Sequence, residues 1–218
     1  MERPKAIIFD LDGTLIHSAP DLHAAINVTL ASLGRGALDL PSVISFIGNG
    51  VEKLVERSLT ATGGFDARLR AQALDVFLDA YAQNMTTLTR PYRGVLSALI
   101  AFQDAGIPLG ICTNKPVRPA QDICDRLELS RFFKVISGAQ EGVAKKPNPT
   151  PLLNCINDMG AEPAQTLYVG DSSVDYLTAQ NAAVPFRLFS KGYLNAPLPD
   201  LPEADRFADW ATHGIPMP

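Results

Sequence analysis

Two hydrophobic rhythms divide the chain. From residue 91 onward, amphipathic stretches alternate with short apolar runs: helix "GVLSALIAFQDAG", strand "IPLGICTN", helix "PAQDICDRL", strand "FKVISG", helix "PTPLLNCINDMG", strand "TLYVGD", helix "VDYLTAQNA", strand "PFRLFS". Short apolar strands separated by helices predict a parallel sheet covered on both faces. A further apolar run, "KAIIF", opens the chain and breaks into the acids and glycine of "DLDGT". Between these parts, from about Ala19 to Arg90, the spacing is helical throughout, as in "PDLHAAINVTLASLG", "GVEKLVERSL" and "DARLRAQALDVFLDAYAQNM". The pattern therefore predicts an α/β, Rossmann-like parallel-sheet core, residues 1–16 and 91–218, with an α-helical cap domain, residues 17–90, inserted after the first strand. The Pro-rich "NAPLPDLPEADRF" reads as a loop leading to a short terminal helix.

Composition narrows the function classes. The chain has 218 residues, 46% of them hydrophobic and 19% charged, an ordinary balance for a globular protein with a real core. A formal net charge of −4 and the lack of a long Lys/Arg run argue against nucleic acid and against an acidic membrane face as partners. A small phosphorylated metabolite needs only a local positive pocket. Cys112, Cys124 and Cys155 show no metal-type spacing and read as reduced core residues. With no apolar leader segment and no apolar run near the ~20 residues of a membrane span, the sequence predicts a cytoplasmic protein, monomer or homodimer.

The polar signals converge on one place. Residues two apart on a strand face the same way, so the first strand presents both Asp10 and Asp12 at its carboxyl end. Two carboxylates so close need a cation, a shared proton or very different surroundings. Ligands of open α/β sheets bind beyond the carboxyl ends of the strands. There the other segments deliver Thr113 and Asn114, Lys146 of "KKPNP", and Asp171, Ser172, Ser173 and Asp175 of "GDSSVD".

In order and separation, "DLDGT", "TN", "KKPNP" and "GDSSVD" resemble the four motifs of the haloacid dehalogenase superfamily, and the resemblance covers the whole chain. The segments "DLPSVISFIGNGVEKLVERSL", "YAQNMTTLTRPYRGV" and "KGY" look most like its phosphoglycolate phosphatases. The resemblance implies Asp10 as a nucleophile that takes the phosphoryl group and Asp12 as the acid and base. It implies phosphate contacts from Gly13, Thr14, Thr113 and Asn114, and Lys146 rather than Lys145 as the counter-charge. Its metal set is Asp10, Asp12 through its carbonyl, Asp171, and Asp175 directly or through water. Electrostatics point the same way. Two anions ~4 Å apart oppose each other by ~4 kcal/mol at an effective dielectric of 20, and an oxygen-rich site beside phosphate suits Mg²⁺.

Substrate choice falls to the cap. The glycines of "IGNG" suit a loop that brings Gly48, Asn49 and Gly50 close to a ligand, and Lys53 and Arg57, one turn apart, suit a second anionic group. The intact acids argue against dehalogenation and phosphonate hydrolysis, and they rank a catalytically silent phosphate binder below an enzyme. A sugar-phosphate phosphatase and a hexose-phosphate mutase remain as alternatives. His17 and His23 occupy no motif, and His213 reads as a solvated tail residue.

Overall fold

A computed structural model describes residues 3–216. Strand β1 (Ala6–Phe9) gives way to a loop and the two-residue β2 (Ile16–His17), followed by helices α1 (Ala19–Ser32), α2 (Leu40–Phe46), α3 (Val51–Ala61) and α4 (Ala67–Asn84). The chain returns through β3 (Arg90–Pro91) and then alternates α5 (Val95–Asp104), β4 (Leu109–Pro116), α6 (Val117–Arg126), β5 (Phe133–Ala139), α7 (Thr150–Met159), β6 (Thr166–Gly170), α8 (Ser173–Asn181), β7 (Phe186–Phe189) and β8 (Arg206–Phe207). Six strands form one parallel sheet in the order β5-β4-β1-β6-β7-β8. β1 lies inside it, and all four of its residues are fully buried, which is why it reads as an unbroken apolar run. Phe9 packs against Phe102, Phe133 and Trp210 on one face, while Ile8 joins Leu152, Cys155 and Ile156 on the other.

The helices between β2 and β3 have local causes. Asp39 and Asp66 cap α2 and α4 by accepting from the amides of Ser42 and Leu69, and Pro20 sits in the first turn of α1, where no amide is needed. The helical span is broken, however, between each pair of helices, and α2 stands as an element of its own. Where the span leaves and rejoins the sheet, β2 and β3 pair antiparallel, Ile16 with Pro91 and His17 with Arg90. The buried Asp21 carboxylate accepts from the amides of Leu88 and Thr89 and from the Thr89 hydroxyl, tying α1 to the returning chain.

Three sequence expectations change. In the Pro-rich tail, Arg206–Phe207 adds a sixth strand and only a single 3-10 turn, Trp210–Thr212, follows, since two residues are too few to show a period. His213 is buried, not solvated. Its ring packs on Phe102 and its Nδ1 accepts from the Ile215 amide, so the tail folds back onto α5. β4 runs through Pro116, two residues past the expected strand end at Asn114. The three cysteines are buried and unpaired, and among the described residues no helix is long and apolar enough to cross a membrane.

Candidate active site

The acid-bearing segments meet beyond the carboxyl ends of β1, β4 and β6. Asp10, Asp171 and Asp175 are all buried, and each offers a carboxylate oxygen within 4.8 Å of the others. Glycine makes the approach possible: a Cβ on Gly13, whose φ is +92°, would stand 2.2 Å from Asp171 Oδ2, and one on Gly192 would stand 2.3 Å from Asp171 Cβ. The Asp171 carboxylate is held at both oxygens. The Thr14 hydroxyl donates to Oδ1 at 2.7 Å and the Tyr193 amide to Oδ2 at 2.6 Å. Thr14, expected beside phosphate, thus spends its hydroxyl on aiming Asp171. Each oxygen keeps a lone pair for a cation.

Lys146 is the counter-charge. Its ammonium lies 2.8 Å from Asp10 Oδ1, 2.7 Å from Asp175 Oδ1, 2.8 Å from the Tyr168 hydroxyl and 3.1 Å from the Cys112 carbonyl, four acceptors around its three N–H groups. Asp175 also caps α8. With Ser172 it forms a reciprocal capping box, and its Oδ2 accepts from the Ser172 hydroxyl and amide and the Asp171 amide. Burial pushes the Asp175 carboxyl up, but Lys146, Ser172 and Tyr168 outweigh it and hold the group below its ordinary value. Asp10 goes the other way. Burial outweighs Lys146 and raises it to about 6. Asp171 has no ammonium partner, and burial together with the neighbouring Asp175 and Asp10 pushes it well above the carboxylate range. Three buried carboxylates facing one ammonium are short of positive charge, so this donor set fits a hard, oxygen-seeking divalent cation.

Asp12 stands apart from that trio. Its carboxylate takes the Lys115 ammonium at 3.2 and 3.3 Å, and Lys115 donates in turn to the Tyr81 hydroxyl of α4 at 2.8 Å. A cavity of about 60 Å³ lies between this group and the helices, lined by Asp10, Asp12, Thr113 and Lys115 below and by residues such as Ile47, Val51, Leu54 and Phe77 above. Thr113 is buried and accepts from the Lys115 amide through its hydroxyl oxygen at 3.2 Å. The Asn114 side chain is committed, donating to the carbonyls of Gly48 and Lys146 and accepting from the Lys146 amide, which leaves only its backbone for a phosphate.

The "IGNG" loop reaches the cavity through Gly48 and Gly50, but its neighbours do not follow. Lys53 is exposed and pairs with Glu56 on its own helix. Arg57 donates to the Phe46 carbonyl and to Asn49 Oδ1, both at 2.8 Å, so it and Asn49 brace the loop from behind. One-turn spacing places Lys53 and Arg57 on a common side of α3, and neither side chain lines the cavity. Lys145 pairs with Glu52 of α3 and leaves the acids to Lys146. His17 bonds to the Tyr193 hydroxyl at 2.9 Å beside the β2–β3 ribbon, and His23 to the Leu38 carbonyl; neither lines the cavity.

A parallel α/β sheet that gathers four carboxylates and two ammonium groups at one edge, over a small cavity roofed by helices, defines an enzyme that handles a small anion. Residues 7–189 match the family described as haloacid dehalogenase-like hydrolases, and the chain belongs to that family. It is 40% identical over 203 residues to a phosphoglycolate phosphatase from Cereibacter sphaeroides, covering 93% of this chain and 92% of the relative. A phosphoglycolate phosphatase from Rhodospirillum rubrum is 38% identical over 216 residues, with 97% and 90% of the two chains covered. Among solved structures, a predicted phosphoglycolate phosphatase from Haemophilus somnus superposes with a TM-score of 0.88 at 29% identity, covering 97% of this chain and 96% of that one.

Proposed function

We propose that the protein is a Mg²⁺-dependent phosphatase of small phosphate monoesters, with phosphoglycolate as its best substrate, working through an aspartyl-phosphate. The observation that most supports this reading is the separation of the first two acids. Asp10 belongs to the buried trio and to Lys146, whereas Asp12 lies outside it, on Lys115. Asp10 is then the nucleophile: its carboxylate oxygen bonds to phosphorus as the ester bond to the leaving oxygen breaks. Asp12 gives that oxygen its proton, then takes one from the water that cleaves the acyl phosphate, returning both acids to their starting state. Lys146 offsets the charge of Asp10 and the phosphoryl group, and the Thr113 hydroxyl turns to a phosphoryl oxygen. Asp10, Asp171 and the Asp12 carbonyl, with Asp175 directly or through water, would hold the cation, which when bound would supply positive charge against two approaching anions.

In this reading residues 17–90 act as a cap that opens at the β2–β3 ribbon. The cavity has room for a few waters only, so a substrate is admitted by cap movement and a short leaving group lets the cap close again. Free thiols at Cys112, Cys124 and Cys155 suit a reducing compartment, which favours the cytoplasm. The test is release of inorganic phosphate from a panel of esters with Mg²⁺ present. Phosphoglycolate should show the highest kcat/KM, ahead of hexose phosphates and aryl phosphates. A preference for hexose phosphates would overturn the substrate assignment, and return of the phosphate to a sugar would turn the enzyme into a mutase.

Arg57 separates bracing from charge recognition. Arg57→Ala should lower kcat/KM for phosphoglycolate and for an aryl phosphate by a similar factor, about threefold to tenfold for a contact worth ~1 kcal/mol, since it loosens the loop and meets no substrate charge. A loss confined to phosphoglycolate would mean that Arg57 grips the carboxylate.

A further inference from the structure

We infer that Lys115 is the residue that recognises the carboxylate of the leaving group, and so sets the enzyme's preference for short phosphorylated acids. The inference rests on the substrate reading above and adds to it the side chain responsible. Among the described residues, Lys115 is the one cationic side chain that lines the cavity. The other cations stand outside the lining and face other partners: Lys146 lies on Asp10 and Asp175, Lys145 on Glu52, Lys53 on Glu56, and Arg57 on the loop backbone and Asn49. The opposite wall of Ile47, Val51, Leu54 and Phe77 offers no charge at all. A second anion on the substrate therefore has one counter-ion within reach.

Position fixes which anion. Lys115 touches the carboxylate of Asp12, the group assigned to the leaving oxygen, at 3.2 and 3.3 Å. In phosphoglycolate a single methylene separates that oxygen from the carboxylate, so a cation adjacent to the acid is also adjacent to the carboxylate. An ammonium has three donors, and here it serves two groups, Asp12 and Tyr81, leaving one for a ligand. The Tyr81 hydroxyl belongs to α4, so the same lysine joins the roof of the cavity to its floor and a carboxylate bound to it is gripped only when the roof is down. Burial strengthens the effect: the Lys115 side chain is 4% exposed, so its charge is poorly screened by water.

The experiment compares phosphoglycolate with 2-hydroxyethyl phosphate, which replaces the carboxylate by a neutral alcohol on the same two-carbon frame. Wild type should favour phosphoglycolate in kcat/KM by roughly tenfold to a hundredfold, the usual weight of one charge-assisted contact. Lys115→Met should bring the ratio close to one, and Lys115→Gln, which keeps a donor for Asp12 and Tyr81, should do the same. Any general loss through Asp12 falls on both esters and cancels in the ratio. A wild-type preference that survives both substitutions would overturn the inference alone. Failure of both variants to fold, read from their thermal transitions, would make the ammonium structural and overturn it too. A wild-type ratio near one would remove the substrate reading and this inference with it.

Discussion

Asp10→Asn is expected to abolish turnover, by on the order of a thousandfold or more, while leaving the metal-free protein at least as stable as wild type above pH 6. The amide cannot attack phosphorus, and it is a weaker ligand for a hard cation. Stability follows from the folded-state carboxyl. Burial raises Asp10 to about 6 against an ordinary 3.8, so between those values the folded state binds more protons than the unfolded chain and stability falls as pH rises. Above about pH 6 the ionised group therefore costs roughly 3 kcal/mol, which the neutral amide does not. Lys146 keeps Asp175 as its second carboxylate in the variant. Thermal midpoints in chelator should thus match at pH 4 and separate in favour of Asp10→Asn by pH 8. More than a trace of activity in clean protein would remove Asp10 from the nucleophile's role, and a large loss of stability at pH 8 would show that the Lys146 contact outweighs burial.

The frame of this enzyme was legible because its signals are repetitive. Apolar runs of four to eight residues alternating with 3.6-residue periods can bury their faces only as a sheet between helices, and the acids lie where each run ends. Side-chain commitments are not periodic. The resemblance implies phosphate contacts from Thr14 and from the Asn114 backbone or amide, but no period tells that the Thr14 hydroxyl bonds Asp171 and the Asn114 amide the Gly48 and Lys146 backbones. Lys115 could have been found: it is two residues beyond Thr113 and so shares its face, had β4 been carried past Asn114 into "KP". Lys53 and Arg57 show the limit from the other side. Their spacing gives a common face, but nothing local tells which way α3 is turned, and that is set by how α3 packs on its neighbours.

Removing divalent cations should stop phosphate release entirely, with Mg²⁺ restoring it and Ca²⁺, whose coordination is larger and looser, inhibiting. The cause is written in the charges. Asp171 is pushed well above the carboxylate range by burial and by Asp175 and Asp10, and Asp10 itself lies near 6, so the metal-free folded protein holds protons that a cation must expel. Binding therefore releases protons and tightens as pH rises, and it weakens steeply below about pH 6. A readout independent of turnover is available in the thermal midpoint. At a hundredfold excess over Kd, Mg²⁺ stabilises the folded state by about 2.7 kcal/mol, which for a domain of this size is a shift of roughly 5–10 °C. That shift should be full at pH 8, small at pH 5, lost in Asp171→Asn and largely kept in Asp12→Asn, because Asp12 offers its carbonyl to the cation and keeps its carboxylate on Lys115. Activity that persists in excess chelator would break the proposed chemistry. An undiminished Mg²⁺ shift in Asp171→Asn would instead move the cation away from the buried trio and leave the phosphatase reading in place.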